Sequence, residues 1–438
     1  MFLTHSTPFR FSAFTLFYFA QGVPIGLLTI AMPAWLAAEG VETALIATFA
    51  AITGLPWGLK LISGPFMDRF SFPAMGRRRP WVMAAQAGLT LAMFSMAWVL
   101  NPAENIWTLI IIGTVVNTFA ALQDVAVDGM AIDILPEGER GRANAFMAFG
   151  QATGFSLFGA LNGYLLVQFG LAVTALISTA TVGSIFLFVT LVREREGERL
   201  LPWTEGVATP RAFPVSESFL GIFRDLIRVL FLPMSLLLIS VEFMHRMSAG
   251  IAISIFPVMA VQELGFTSDV YSYWMGIMSG LSALAGLAFG PFIDRLGAKR
   301  FIMSGLLLAA TVYASFAMAQ AYWGSTPFVL AGLIGSQLAA QLIFVAVIAG
   351  FMGLCAKGVG ATQFAVYMSL ANLARSVGAG AFAFIAADVT SAEALYIMAA
   401  LNVLAAILLT QFSLRKHRKR LEEIEGQAPT REAAVPTG

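Results

Sequence analysis

Charged residues are scarce in this sequence of 438 amino acids: Asp, Glu, Lys and Arg together make up 12%, whereas hydrophobic residues make up 58%. Soluble domains carry roughly 25% charged residues, so a soluble fold of this length would lack polar surface. The single cysteine, Cys355, excludes an intrachain disulfide. The three histidines lie far apart, so we expect neither a metal nor a cofactor. A net charge of +1 argues against nucleic-acid binding.

Most of the sequence consists of long apolar stretches separated by short polar segments. A membrane helix needs about 20 mostly apolar residues, and charges, prolines and glycines divide the chain into twelve such runs. We therefore predict an all-α integral membrane protein with twelve transmembrane helices in two six-helix halves. The first run is too long for a signal-peptide core, so we expect it to be retained. The predicted spans are 11–33, 43–66, 80–100, 106–134, 143–168, 171–192, 231–261, 270–291, 300–320, 326–354, 362–386 and 391–413.

Lys and Arg are confined to alternate loops. The loops after odd-numbered spans contain none, whereas every loop after an even-numbered span contains at least one. Because basic residues stay on the cytoplasmic side, this pattern predicts a protein of the cytoplasmic (inner) membrane with both termini in the cytoplasm. The expected units are an N-terminal half (1–192), a cytoplasmic linker with an amphipathic helix from residue 218 (193–230), a C-terminal half (231–414), and a basic, then disordered, cytoplasmic tail (415–438).

One motif occurs in both halves. Residues 64–69 read Gly-Pro-Phe-Met-Asp-Arg and residues 290–295 read Gly-Pro-Phe-Ile-Asp-Arg, each after the second span of its half. Internal repeats are typical of transporters. The motif, followed by a basic cluster, resembles the cytoplasmic signature loop of the major facilitator superfamily. That resemblance implies the major facilitator fold and a gating role for the motif and the basic cluster, namely Asp68, Arg69, Arg77, Asp294 and Arg295.

Three further segments resemble one branch of that superfamily. They are residues 54–60 (Gly-Leu-Pro-Trp-Gly-Leu-Lys), 76–81 (Gly-Arg-Arg-Arg-Pro-Trp) and 123–129 (Gln-Asp-Val-Ala-Val-Asp-Gly). All three are similar to the muropeptide permease (AmpG-type) and acetyl-coenzyme A transporter branch. The resemblance covers about residues 14–165 and is mainly topological beyond residue 231. It implies import of anhydro-muropeptides, with acetyl-coenzyme A or siderophore-type anions as alternative solutes.

Few ionisable residues lie well inside the predicted spans. A charge at the centre of a membrane helix costs about 2.5–3.5 kcal/mol, so these side chains are expected to face a cavity or one another. Asp124 and Asp128 are four residues apart and share a helix face. Lys60 lies at a similar depth, which predicts a pair with Asp124 or Asp128; a clamp that only stabilises the fold is the alternative. The other charged residues well inside the spans are Glu242, Arg246 and Arg375, and Asp133 lies near a span end.

The second half supplies the candidate anion site. Arg375 has no acidic residue one helical turn away, and Arg246 follows Glu242 by one turn. Two guanidiniums suit a carboxylate, a phosphate or another anion, so we predict that Arg246 and Arg375 bind substrate, together with Gln21 and Lys60. Glu242 is the first candidate for proton coupling, with Asp124 and Asp128 next. The alternative is that Glu242 only neutralises Arg246.

Glycines recur at four-residue spacing in spans five and eight, and this spacing lets helix backbones approach closely. The resemblance implies that these two spans meet between the halves, which predicts a sliding contact there; packing within each half is the alternative. The glycines are Gly150, Gly154, Gly159, Gly163, Gly276, Gly280, Gly286 and Gly290.

Together these features predict an alternating-access, proton-coupled secondary transporter of an anionic organic solute. We expect a monomer whose partners are the solute, protons and membrane lipids. A receptor or scaffold that kept the fold but lost transport is a second class, which the retained buried charges disfavour. An intramembrane enzyme would need a paired catalytic constellation inside the spans, and the sequence offers none, so we expect no enzymatic activity.

Overall fold

The computed structural model describes residues 2–70, 72–206, 226–356 and 360–426. Its membrane helices follow the predicted order of spans. The amphipathic helix expected in the linker lies mainly outside these ranges, although residues 226–230 are helical. The helices are α1 (Thr7–Ala38), α2 (Thr43–Ile62), α3 (Arg79–Met96), α4 (Ile106–Ile134), α5 (137–169), α6 (171–191), α7 (Pro233–Glu263), α8 (Ser268–Leu296), α9 (Ala298–Met318), α10 (Thr326–Leu354), α11 (Gly360–Ala383), α12 (Ser391–Leu409) and α13 (Leu414–Gly426).

The twelve predicted spans are confirmed as α1 to α12. Within the described ranges, nine continuous helices are long and apolar enough to cross a membrane. One of these provides two spans, α5 and α6, because its backbone leaves the helical region at Gly170 (φ 74°, ψ 179°), a conformation that glycine adopts without steric cost. Helices α3 and α11 carry more polar side chains, among them Arg79 and Arg375, and they complete the twelve.

Helices α1 and α7 share one irregularity. Each contains a π-helical turn, at Leu27–Ala31 in α1 and at Met259–Glu263 in α7. A proline precedes each turn, Pro24 in α1 and Pro257 in α7. Proline removes a main-chain donor and disturbs the helical hydrogen bonds around it, and π turns are one way in which a helix bends. The irregular turn of α1 therefore begins three residues after Pro24.

Each half packs around its own apolar core, formed in the first half around Phe49 and Leu89 and in the second around Leu306 and Phe351. The halves meet where α5 contacts α8, where α2 contacts α11, and where α1 contacts α7 and α8. We call the end of the bundle that carries the loops 70–78 and 297 the basic end, and the opposite end the outer end. At the outer end the side chain of Gln262 donates a hydrogen bond to the carbonyl oxygen of Ala37 (2.9 Å).

The glycine contact between α5 and α8 is confirmed only toward the outer end. A Cβ at Gly276 would lie 2.5 Å from the carbonyl oxygen of Ser156, and one at Gly163 would lie 2.2 Å from the Cβ of Ser272. Gly280 also faces α5, since a Cβ there would lie 3.3 Å from Oγ of Ser156. The prediction is wrong for Gly150, Gly154, Gly159 and Gly286, because α5 also packs along α1 and α8 along α10 inside their own halves. Gly150, Gly154 and Gly159 face α1, and Gly286 faces Gln341 of α10. Within the described part of the chain, Gly290 has open space beside it.

The repeated motif lies at the basic end in both halves. Helix α2 ends in a 3-10 turn at Lys60–Ile62, which leads into the short helix Ser63–Arg69. In the second half the motif instead continues α8 to Leu296. Arg69 and Arg295 are exposed. The side chains of Asp68 and Asp294 lie outside what the structure describes.

The tail forms helix α13, which continues past Arg420, the residue after which we expected disorder, as far as Gly426. Arg420 pairs with Glu423 across one helical turn (2.8 Å). The ring of His417 is buried, and its Nε2 lies 2.9 Å from the carbonyl oxygen of Leu354 at the end of α10. This contact anchors the tail helix to the second half. Residues 427–438 lie outside the described ranges.

Candidate substrate and proton site

The second half contains a buried ion pair on α7. Because one helical turn separates them, Glu242 and Arg246 lie on the same face, and the Nε of Arg246 donates to Oε1 of Glu242 at 2.6 Å. Glu242 is only 2% exposed, and its Oε2 has no hydrogen-bond partner within the described chain. The guanidinium of Arg246 also lies over the ring of Phe344, 5.3 Å from its centroid, a distance that suits a cation–π contact.

Arg375 is brought beside this pair by a close crossing of α7 and α11. A Cβ at Gly250 would lie 2.0 Å from the carbonyl oxygen of Arg375, and one at Gly378 would lie 2.4 Å from the Cα of Met247. Only glycine at both positions lets the two backbones approach this closely. The guanidiniums of Arg375 and Arg246 are then near enough to repel each other.

Arg375 is the unpaired member of the cluster. Among residues 2–70, 72–206, 226–356 and 360–426, no side chain or carbonyl group forms a hydrogen bond or ion pair with its guanidinium. The three charged groups Glu242, Arg246 and Arg375 therefore carry a formal surplus of one positive charge. The sequence predicted this surplus from the lack of an acid one turn from Arg375.

Arg375 borders a narrow cleft between the two halves. In its wall, Nε1 of Trp57 donates to Oδ1 of Asn117 (3.1 Å), and Nδ2 of Asn117 donates to the carbonyl oxygen of Thr53 (2.7 Å). These bonds fix an indole and an amide opposite the guanidinium. The remaining residues that line the cleft come from α1, α2 and α7: Ile25, Leu28, Thr29, Ala50, Gly54 and Ile253.

The sequence analysis did not single out Trp57 or Asn117. Two signals could have found them. Trp57 is the aromatic residue of a branch-specific segment that also contains Lys60, and Asn117 is a lone amide in the apolar run of span four. Amides inside membrane helices usually face another helix, because lipid offers them no hydrogen-bond partner.

The first half contains a second polar cluster. Nζ of Lys60 lies 2.5 Å from Oδ2 of Asp124 and 5.5 Å from the centroid of the Trp57 ring. Of the two pairs that the sequence allowed, the structure forms Lys60–Asp124. Asp128 instead accepts a hydrogen bond from the hydroxyl of Tyr18 on α1, a residue that the sequence analysis missed.

Two predicted substrate ligands lie away from the cleft wall. Gln21 is fully buried and accepts a hydrogen bond from Nε2 of Gln151 on α5 (3.0 Å). Lys60 is committed to Asp124 and reaches the cleft only through the ring of Trp57. The structure thus brings Arg246 and Arg375 together, and a substrate role for Gln21 and Lys60 stays a prediction.

The basic loop at the end of the first half is held to the beginning of the linker. The main-chain N–H groups of Arg77, Arg78 and Arg79 converge on the carboxylate of Glu194, at 3.1, 2.7 and 2.5 Å. Gly76, with φ +100°, allows the chain to turn its N–H groups in this way. Burial, together with the nearby Glu198, raises the pKa of Glu194.

The side chains of the same loop bind the end of α4. Nη1 of Arg77 lies 3.2 Å from Oδ1 of Asp133, and Nε of Arg78 lies 3.3 Å from Oδ2. Arg77, predicted as a gating residue, is thus tied within its own half in this structure. Its role in gating stays a prediction.

Comparisons with known proteins agree with this architecture. The family profile described as Major Facilitator Superfamily matches residues 11–244 and 238–436. The anhydromuropeptide permease of Escherichia coli is 24% identical over 358 residues, which cover 82% of this chain and 70% of the permease. A putative transporter named AmpG 4 of Rickettsia felis is 24% identical over 369 residues, which cover 81% of this chain and 84% of that protein.

Solved structures share the fold at low sequence identity. A D-xylose-proton symporter superposes with a TM-score of 0.69 at 15% identity, over 93% of this chain and 98% of the symporter. A POT family transporter in complex with a thioalcohol-conjugated peptide superposes with a TM-score of 0.70 at 11% identity, over 92% and 96%. The family match extends over both halves, so the chain is a multi-pass membrane protein that belongs to the major facilitator superfamily.

Proposed function

We propose that this protein carries an organic anion together with a proton across the cytoplasmic membrane by alternating access. The observation that carries the proposal is Arg375, an unpaired guanidinium at the wall of a cleft between the two halves. A charge inside a span costs about 2.5–3.5 kcal/mol unless it is compensated. A bound carboxylate or phosphate would supply the missing counter-ion.

Arg246 extends this site along α7. Its guanidinium already holds Glu242 through Nε, so its remaining N–H groups can bind a second acceptor. An anion shared by Arg246 and Arg375 would also relieve the repulsion between them. The fork geometry of two guanidiniums favours a planar carboxylate or a phosphate over a neutral solute.

Proton coupling requires a group that ionises inside the spans, and Glu242, Asp124 and Asp128 are the candidates. An anion that engages Arg246 weakens the pair with Glu242 and favours protonation of that carboxylate. Proton and substrate binding would then support each other, as symport requires. Asp124 and Asp128 can serve the same purpose from the opposite half.

For the substrate, we propose an anhydro-muropeptide that is imported into the cytoplasm. The support is the printed name of the Escherichia coli relative together with the anion site. Acetyl-coenzyme A or a siderophore-type anion would use the same guanidiniums. We further propose that both termini lie in the cytoplasm, because Lys and Arg lie in the loops of one side only. We also propose that the protein is a monomer.

The test is uptake into proteoliposomes. Radiolabelled anhydro-muropeptide should accumulate above its external concentration when the lumen is more alkaline than the medium, and a protonophore should abolish the accumulation. Arg375→Ala should lose uptake, whereas Arg415→Ala, at an exposed position of the tail, serves as the matched control. Uptake that only equilibrates, whatever the pH gradient, would reject proton coupling. Uptake of a coenzyme A ester but not of the muropeptide would reassign the substrate.

A further inference from the structure

The polar cluster of the first half has an unequal number of opposite charges. Asp124 and Asp128 share a face of α4, and the single ammonium of Lys60 pairs with Asp124. The fourth member is Tyr18, whose neutral hydroxyl donates to Asp128. With both carboxylates ionised, the cluster carries a surplus of one negative charge.

Neighbouring charged groups do not supply the missing cation. On the helices packed against α4, the other cations are held by their own acids, donate to main-chain carbonyl groups, or lie exposed at the basic end. The buried Arg79 on α3 donates to the carbonyl oxygens of Thr190, Arg199 and Leu200. Arg78 comes nearest, since a Cβ at Gly129 would lie 2.7 Å from its Nε, but that atom lies 3.3 Å from Asp133. The remaining groups are Arg10 with Glu139, Arg77 with Asp133, and the exposed Arg69, Arg140 and Arg142; Asp68 lies at the same end.

We propose that Asp128 binds the transported proton. The inference rests on the proposed proton coupling and assigns the proton to one residue of that mechanism. One proton on Asp128 removes the negative surplus and leaves the pair of Lys60 and Asp124 intact. Asp124 is 4% exposed and lies 2.5 Å from the ammonium of Lys60, so its charge already has a counter-ion. Among the described residues only the hydroxyl of Tyr18 donates to Asp128, which is half-buried and thus more exposed than Asp124.

The same count of charges disfavours Glu242. Its cluster already has a surplus of one positive charge, from Arg246 and Arg375 against a single carboxylate. A proton on Glu242 would raise that surplus to two before any anion binds. The proton therefore neutralises the negative surplus of the first cluster, and the anion neutralises the positive surplus of the second. Both clusters are then neutral when proton and anion are bound.

The indole ring of Trp57 connects the polar cluster of the first half with that of the second half. Trp57 lies in the wall of the cleft opposite Arg375, and the ammonium of Lys60 lies over the same indole ring. The turn at Lys60–Ile62 also contacts α11, the helix of Arg375, and a Cβ at Gly58 would lie 2.9 Å from the Cβ of Leu373. A shift of α11 on anion binding would thus reach Lys60, and through Lys60 the two carboxylates.

The test separates exchange from accumulation in proteoliposomes. Asp128→Asn keeps an acceptor for Tyr18 and mimics the protonated state. We expect it to exchange labelled for unlabelled anhydro-muropeptide at the rate of the parent. Under a gradient of one pH unit, we expect the accumulation ratio to fall from about tenfold in the parent, for one proton per solute, to one in the variant. Glu242→Gln removes the other candidate carboxylate, and Arg415→Ala, at an exposed position of the tail, is the control that should keep the parental ratio.

Other outcomes overturn the inference. Accumulation that survives in Asp128→Asn but is lost in Glu242→Gln would place the proton on Glu242. A parent that exchanges substrate but never accumulates it would refute the proposed coupling itself, which is a separate failure. If Asp128→Asn does not reach the membrane, Tyr18→Phe decides. Without the donor to the ionised carboxylate, the pH of half-maximal accumulation should rise, and an unchanged pH profile would contradict the role of Asp128.

Discussion

Replacement of Arg375 by alanine should weaken anion binding without weakening the fold. The guanidinium is half-buried, has no counter-ion among the described residues and is repelled by Arg246. Its removal abolishes an uncompensated charge, so the thermal stability of the empty protein should be unchanged or higher. Most substitutions at buried positions instead destabilise, which makes this combination diagnostic of a binding residue.

The expected loss of affinity follows from the bonds that the guanidinium can form. A hydrogen bond to a charged group contributes about 1.5–3 kcal/mol. At about 1.4 kcal/mol for each factor of ten, Arg375→Ala should weaken binding of a carboxylate-bearing anhydro-muropeptide roughly 10- to 150-fold. Arg375→Lys should restore only part of this, because an ammonium lacks the planar fork.

The assay is calorimetric binding to purified protein, with melting temperatures measured on the same samples. Arg246→Ala is the matched comparison, because it removes an arginine that does have a partner. It leaves Glu242 buried without its cation, and breaking such a pair costs about 3–5 kcal/mol, so the melting temperature should fall. Parental affinity in Arg375→Ala would refute the reasoning and assign the residue to packing.

Three further outcomes are expected. Asp68→Asn should slow transport while substrate binding and folding persist, since the motif acts in gating; equal transport rates would remove this role. Gly276→Ala should lower both the melting temperature and the transport rate, because its Cβ would lie 2.5 Å from a carbonyl oxygen, whereas Gly324→Ala, with open space around it, should change neither. Burial lowers the pKa of His417, so its contribution to docking is present above about pH 6.5 and is lost as the pH falls through the lower folded value. Hydrogen exchange of residues 414–426 should accelerate on acidification, and His417→Gln should remove that pH dependence.

The order of spans follows from the sequence because lipid imposes a simple rule on backbone groups. The alternation of basic and non-basic loops predicted even α11, although Arg375 makes this helix less apolar than the neighbouring helices. The exact helix ends follow local chemistry instead. No charged residue separates α5 from α6, and the boundary predicted between residues 168 and 171 lies at Gly170, whose positive φ ends α5.

The candidate site was predictable where its contacts are local. The pair of Glu242 with Arg246 depends on one helical turn, and the isolation of Arg375 depends on the residues one turn away. The bond between Tyr18 and Asp128 joins α1 to α4, and no spacing in the sequence encodes the rotation of one helix against another. For the same reason, the sequence did not show which helix each glycine of α5 contacts. A helix face made of glycines can pack equally closely against α1 or α8.

The two π turns have a mechanical consequence. A π turn bonds each residue to the one five positions on and so holds one residue more than an α turn. Leu27–Ala31 divides α1 into an inner rod that carries Tyr18 and an outer rod that contacts Gln262; Met259–Glu263 ends the inner rod of α7 in the same way. Migration of the extra residue along the helix rotates one rod against the other while the hydrogen bonds are conserved. In α1 the two ends of the helix can therefore turn separately, whereas the π turn of α7 lies at the outer end of that helix.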